Sequence, residues 1–336
     1  MRRYLLDKPG AELRVESAPE PVPGPGEVLV RVRACALNYR DLMIQRGEYG
    51  AFKHTPLVPL SDCAGEVLAL GEGADEFSKG DRVAACFFQN WQAGRLHAGV
   101  YGSDLGFGLQ GVLSELRVFP QAALVKLPRY LSFAEGATLP CAGVTAFNAT
   151  VPHLSRGHTV LLLGTGGVSL FALQFARASG ARVIITSSDD AKLERAGKLG
   201  ADHGVNYRRY EDWDEEVLNL TDGRGVDLVV ETGGAATLER SINALAPGGQ
   251  VSMVGRLTGV ASGVNVHGLV YKAATLRGVF VGSKQDFLAM NAFTEQLNIA
   301  GLLDDLVPFE QAPKAFERLT TGRHFGKVVI TCDAAG

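Results

Sequence analysis

Neither sign of charge dominates this chain of 336 residues: 33 Lys and Arg stand against 36 Asp and Glu, for a formal net charge of −3. The basic residues are scattered, which argues against a nucleic-acid footprint or a polybasic membrane patch. Cysteine is scarce. Cys35, Cys63, Cys86, Cys141 and Cys332 are far apart, odd in number and never in a CxxC spacing, so reduced thiols are expected rather than a disulfide framework. No stretch approaches the roughly 20 apolar residues of a membrane span. After Arg2 and Arg3 the chain turns polar at Asp7-Lys8, before an apolar run could serve as a signal peptide. These absences lead to the expectation of a cytoplasmic protein that acts on a small molecule, with no nucleic acid and no membrane as partner.

Glycine and proline, by contrast, are plentiful and unevenly placed. Through about residue 125 they punctuate short strand-like pieces: Pro19 to Gly26 precede Glu27–Arg33, Gly71-Glu-Gly73 follows Val67–Leu70, and Lys79-Gly-Asp81 leads into Arg82–Cys86. That texture predicts a small, irregular, β-rich domain. Ser132-Phe-Ala-Glu135 then forms a capping-box signature ahead of an alanine-rich stretch ending near Thr150. From 157 to 281 apolar runs alternate with helix-like segments, the pattern of a parallel sheet covered on both faces. Six strands are expected, at 160–163, 182–186, 204–206, 227–231, 250–254 and 275–281, with Asp189 and Asp190 capping a helix that Gly200 ends. Two amphipathic helices, around 285–299 and 310–320, precede a last strand at 327–331, whose β-character suggests a return to the first domain. The length likewise favours two domains.

The densest signal is Thr159-Val-Leu-Leu-Leu-Gly-Thr-Gly-Gly-Val-Ser169, in which a buried strand, a glycine turn and a helix follow one another without a gap. Gly164 permits the tight turn, and Gly166 lets backbone approach a pyrophosphate that the next helix's N-terminus attracts. Ser169 stands where a third glycine is usual, so a wider or hydrogen-bonded packing is expected there. The acidic residue that would grip a ribose 2′-hydroxyl about twenty residues on is absent; Ser187 and Ser188 end the second strand instead.

Several separate segments together resemble the medium-chain dehydrogenase/reductase superfamily, in its quinone-oxidoreductase-like branch. They are Pro25–Val30, Ala36-Leu-Asn-Tyr-Arg-Asp41, Gly65-Glu-Val67, Lys79–Val83, Leu139–Ala146, the glycine turn, Leu199-Gly-Ala-Asp202 and Phe325-Gly-Lys-Val-Val329. The resemblance implies an α/β fold: a GroES-like β-rich catalytic domain at 1–125, completed by 283–336, and a Rossmann doubly wound parallel sheet at 126–282. It further implies a cofactor in the cleft between them and commonly a homodimer.

Zinc members of this superfamily hold the metal with Cys, His and Cys. Here Asn38 and Ser61 occupy the first two positions and only Cys141 matches the third. An amide and a hydroxyl cannot replace thiolate and imidazole for zinc, so no zinc is expected. The NADPH-using branch places a Lys and a Tyr at positions matching Lys192 and Tyr207, and Arg208 adds charge, so NADP(H) is preferred over NAD(H). The resemblance also sets Asn38, Tyr39, Thr145, Gly164, Thr165, Gly166, Gly167, Val168, Gly255, Arg256, Leu257, Phe280, Val281, Phe325 and Lys327 against the cofactor. Asn38 is expected to donate to a developing enolate oxygen and Asp41 to fix its loop. A tyrosine at the position of Tyr49 donates the proton in related enoyl-thioester reductases; a phenol near pKa 10 stays protonated at neutral pH.

The function this predicts is a zinc-independent, NADPH-dependent oxidoreductase delivering hydride to quinones or α,β-unsaturated carbonyl compounds. Two alternatives stand beside it: an NAD(P)-dependent alcohol dehydrogenase or carbonyl reductase, and a non-catalytic NADPH-binding protein. The aromatic Phe87–Gln92 segment and the glycine-rich loop 94–111 are expected either to roof the substrate pocket or to form a dimer contact.

Overall fold

A computed structural model describes residues 1–259 and 265–332. The chain divides into two compact units, Met1–Val144 with Val281–Gly336, and Thr145–Phe280; the last four residues of the expected catalytic domain, 333–336, lie outside the described ones.

The first unit is built on β-strands. These are β1 (Arg2–Leu5), β2 (Arg14–Ser17), β3 (Glu27–Ala36), β4 (Asp62–Leu70), β5 (Arg82–Ala85), β6 (Leu116–Pro120) and β7 (Leu124–Lys126). The ten residues of β3 form its spine, pairing antiparallel with both β4 and β6. Alternate residues Val28, Val30 and Val32 are buried while Arg31 between them is exposed, the period-2 pattern of a strand with one face on the core. Tyr4, Phe77, Phe119, Phe309 and Phe316 complete that core. The unit extends past the expected boundary at 125, because the turn 133–136 packs on β3 and β4. A Cβ on Gly136 would come within 2.7 Å of Leu127. Ser132 does cap that turn, its hydroxyl accepting from Glu135 N while Glu135 accepts from Ser132 N.

The second unit carries β8 (Thr159–Leu163), β9 (Arg182–Ser187), β10 (His203–Asn206), β11 (Val226–Glu231), β12 (Leu245–Met253) and β13 (Thr275–Gly278). They form one parallel sheet in the order β10-β9-β8-β11-β12-β13. The order reverses direction at β8, next to the glycine turn, which is the switch point where doubly wound sheets bind ligands. All five residues of β8 are buried, as a strand covered on both faces requires. The helix Gly167–Ala178 packs Leu170, Phe171, Leu173 and Phe175 inward, each contributing about 2–3 kcal/mol by burial. Within the first unit, β14 (Leu303–Pro308) runs parallel to β15 (Lys327–Thr331), which pairs antiparallel with β3, so the chain's last strand does return to the first unit. No helix among the described residues is long and apolar enough to cross a membrane.

Candidate active site

The glycine turn of the second unit is built by backbone. Gly164 follows β8 at φ 75°, the left-handed region where a side chain is strained, and its N–H donates to Thr186 Oγ1 at 3.2 Å. A Cβ on Gly166, the residue that opens the helix, would meet nothing within 4 Å. The turn therefore leaves open space before a helix N-terminus of unpaired N–H groups, the geometry that binds phosphate. Thr165 is buried, and Gly167 and Val168 form the helix's first turn. Ser169 is explained: its hydroxyl donates to Leu163 O at 2.8 Å, stitching the helix to the strand where a glycine would have allowed bare contact.

Beside the end of β9 the fold gathers the polar residues expected near a ribose. Ser187 is buried, and Tyr207 N donates to its carbonyl at 3.1 Å. Asp189 caps the helix Asp190–Lys198, Oδ1 accepting from Ala191 N at 2.8 Å and Lys192 N at 3.2 Å. Asp190 is held by Asn206 Nδ2 and Arg209. Ser188 and Lys192 are half-buried, and Tyr207 and Arg208 exposed. Thr145 is buried, whereas Arg256, Leu257 and Phe280 are exposed. Gly255 N donates to Glu231 O. Glu231, which the sequence reading overlooked, organises the adjoining loop: its buried carboxylate accepts from Gly233 N at 2.6 Å, Gly234 N at 2.9 Å, Thr237 Oγ1 at 2.7 Å and Ser241 Oγ. A carboxylate ending an apolar strand before Thr-Gly-Gly was the available signal.

In the first unit, Asn38 lies at the mouth of β3 and starts the helix Tyr39–Arg46. Its backbone N–H donates to Asp41 Oδ2 at 2.7 Å, so Asp41 holds the loop as expected. Burial pushes the Asp41 carboxyl up to about 6, the nearby Arg40 charge opposing it. Lys327 is 4% exposed, and its Nζ donates to Leu37 O and Asn38 Oδ1, both at 2.5 Å. Asn38 Nδ2 donates to Ser61 Oγ at 3.4 Å, Ser61 Oγ to Asp62 Oδ1 at 2.6 Å, and Cys141 N to Asp62 Oδ2 at 3.1 Å. Burial raises the Asp62 carboxyl too, against the pull of Lys327, Ser61, Asn38 and Cys141 N–H. Leu60, just before this segment, sits at φ 70°, a conformation costing a β-carbon residue about 1 kcal/mol or more.

Phe325 and Lys327 are buried within the first unit, where Phe325 N–H donates to Asp304 Oδ1 at 2.8 Å. The Phe87–Gln92 segment is split, with Asn90 and Gln92 exposed and its aromatic side chains turned inward. Phe87, Phe88 and Trp91 are buried, with ring centroids 4.8 and 5.9 Å apart along the cluster. The loop after them is pinned, since a Cβ on Gly111 would lie 2.3 Å from Leu60 O.

Tyr49 belongs to an apolar cluster with Leu6, Ile44 and Leu57, its ring edge-on to Phe107 at 5.0 Å. Arg40, also unmarked by the sequence reading, joins it to the rest. Its guanidinium donates to Asp104 Oδ2 at 2.6 Å and Leu105 O at 3.0 Å, and lies 5.3 Å from the Tyr49 ring centroid and 4.6 Å from that of Phe87. Arg40 Nε and Nη1 are buried without a hydrogen-bond acceptor; cation–π attraction to the two rings offsets that loss.

The donor set fits zinc poorly. The Asn38 oxygen faces an ammonium, the Ser61 hydroxyl is spent on Asp62, and burial pushes the Cys141 thiol up to about 12. Among the described residues no three His, Cys, Asp or Glu side chains cluster as a metal set.

The alcohol dehydrogenase GroES-like domain model matches residues 24–129, and the zinc-binding dehydrogenase model matches 167–296. A zinc-type alcohol dehydrogenase-like protein of Schizosaccharomyces pombe is 43% identical over 317 residues, covering 92% of each chain. Acryloyl-coenzyme A reductase of Metallosphaera sedula is 30% identical, covering 96% of this chain and 97% of its own. A crystal structure from Sinorhizobium meliloti, provisionally named an alcohol dehydrogenase, superposes with a TM-score of 0.93 at 39% identity, covering 98% of both chains.

Proposed function

The chain belongs to the medium-chain dehydrogenase/reductase superfamily of oxidoreductases, and on that premise we propose that it is a zinc-independent, NADPH-dependent reductase of quinones or α,β-unsaturated carbonyl compounds. The observation that carries the reading is the state of the three candidate donors: amide oxygen on a lysine, hydroxyl on a carboxylate, thiol held protonated. A metal would have to displace a buried cation and deprotonate the half-buried Cys141 thiol, and each of those steps costs free energy.

The glycine turn and the adjoining helix N-terminus would hold the pyrophosphate, and Ser187, Lys192 and Tyr207 the ribose 2′-phosphate. Asp189, the nearest carboxylate in sequence, is engaged by two backbone N–H groups of its own helix, which limits its repulsion of a phosphate. The bound cofactor supplies the hydride. Asn38 donates an N–H to the acceptor oxygen as negative charge gathers there, without changing its own charge. The Tyr49 hydroxyl is the proton source for the carbon that remains. The Metallosphaera sedula relative is named for acryloyl-coenzyme A, an α,β-unsaturated thioester, and its likeness spans nearly all of this chain, which supports a conjugated acceptor. We also propose a homodimer: among the described residues β13 is the terminal strand of its sheet, and Leu276 on it and Val270 and Tyr271 just before it in the chain are exposed. Purified protein screened for NADPH oxidation with quinones, enones, enoyl thioesters and aldehydes tests the activity; turnover with a conjugated acceptor is expected, and none with any of them refutes it.

A further inference from the structure

A lysine ammonium has three donors and no acceptor, and it is seldom buried without a partner that uses them. Lys327 spends two of its donors on neutral oxygens, Leu37 O and Asn38 Oδ1, each at 2.5 Å. That choice removes an ambiguity. A carboxamide can turn over, exchanging its acceptor for its donor edge at little cost in shape. Facing an ammonium, Asn38 must present its oxygen, so its nitrogen points the other way, where Nδ2 donates to Ser61 Oγ. Ser61 donates onward to Asp62, whose other oxygen is already taken by Cys141 N–H. The donors therefore run in one direction, from Lys327 through Asn38 and Ser61 to Asp62. Reversing the amide would break the chain at both ends, setting N–H against ammonium and oxygen against the lone pairs of Ser61.

We propose that Lys327 is a positioning residue that locks the Asn38 carboxamide with its N–H edge as the face offered to a bound molecule. The first unit then recognises an oxygen that accepts hydrogen bonds and gains negative charge, such as the carbonyl of a quinone or enone. Lys327 acts through Asn38 and touches no substrate itself. Asn38 is half-buried, whereas the lysine that holds it is 4% exposed. The inference deepens the reductase reading and rests on it for its functional consequence, while the locked amide is a property of the protein alone.

The test is a double-mutant cycle of Lys327→Met and Asn38→Ala, assayed with NADPH and 1,4-benzoquinone. It is paired with the side-chain NH2 resonances of Asn38 in the 15N-labelled protein, assigned by their loss in Asn38→Ala. Lys327→Met is expected to lower kcat at least tenfold with KM changed less than threefold, and to change kcat less than twofold in the Asn38→Ala background. Lys327→Gln, which keeps a donor on a shorter stem, is expected to recover part of kcat and to return the displaced Asn38 resonances toward their original positions. Equal losses in both backgrounds, or Asn38 resonances that ignore the lysine substitution, overturn the proposal. Should Lys327→Met not fold, Lys327→Leu runs the same cycle under the same criteria. Should the unaltered protein reduce no acceptor, the reductase reading falls and the resonances still decide the locked amide.

Discussion

At the end of β8 the side chains withdraw and the backbone is left to work. Gly164 turns, Gly166 leaves room, and a helix begins with its N–H groups unpaired. Around Asn38 the materials are opposite: side chains fill the space, and most polar groups are paired within the same unit, with Asp41 Oδ1 the buried exception. The first arrangement waits for a ligand with charge of its own, because its donors are unsatisfied. The second is largely satisfied without one, so it can orient an incoming oxygen but offers little to a metal. The same contrast separates what a substitution does in each place: at the turn it removes room, and in the network it strands a buried polar partner.

The largest effect is expected where burial and charge collide. Folding raises the Asp41 carboxyl from near 4 to about 6. Between those values the unfolded chain has released the proton and the folded chain has kept it, so native stability falls as pH rises through the window, by ~3 kcal/mol in all. Asp62, also raised by burial, acts in the same direction. Denaturant melts from pH 4 to 7 should show Asp41→Asn gaining on the unaltered protein by that amount; parallel curves would mean that Asp41 is already ionised at pH 4. Next, Asn38→Ala is expected to lower kcat/KM about 100-fold, the loss typical of a donor to a developing oxyanion, with steady-state kinetics as the readout. Gly166→Ala sharpens the comparison from the other side. A methyl there meets no protein atom, so the melting temperature should hold while the NADPH dissociation constant, by fluorescence titration, rises about tenfold or more. Lys192→Ala should weaken NADPH by about tenfold and leave NADH nearly unchanged, one charge-assisted hydrogen bond being worth about 1.5–3 kcal/mol. The smallest effect belongs to Ser169→Ala, which removes one of two hydroxyl donors to Leu163 O, the other being Thr232 Oγ1, at a cost of about 1 kcal/mol in unfolding free energy and leaves cofactor binding alone.

What could be read in advance follows the same division. The turn is written in consecutive residues, and the strand and helix periods around it are local, so the six parallel strands and their order of appearance were legible before any coordinate. The Asn38 network collects residues 38, 41, 61, 62, 141 and 327, which only the pairing of β15 with β3 and of β3 with β4 brings together. Spacing along the chain carries no trace of that. Family likeness marked Asn38, Cys141 and Lys327 as individuals, and gave no sign that the Lys327 ammonium meets the Asn38 oxygen. Composition likewise cannot tell a binding loop from a core at 87–91, where the rings meet edge-on and Arg40 lies over Phe87. Glu231 escaped notice because a lone carboxylate at a strand end gains its meaning only from the loop that folds back onto it.

Hydride transfer without a metal is the proposal on which the rest depends, and it is open to a direct assay. Protein dialysed against a strong chelator, its zinc content measured on the same sample, is assayed for NADPH-dependent reduction of the best conjugated acceptor before and after zinc is restored. Full turnover is expected in protein that holds no stoichiometric zinc, with no gain on addition. Activity that disappears with the metal and returns with it would refute zinc-independent hydride transfer.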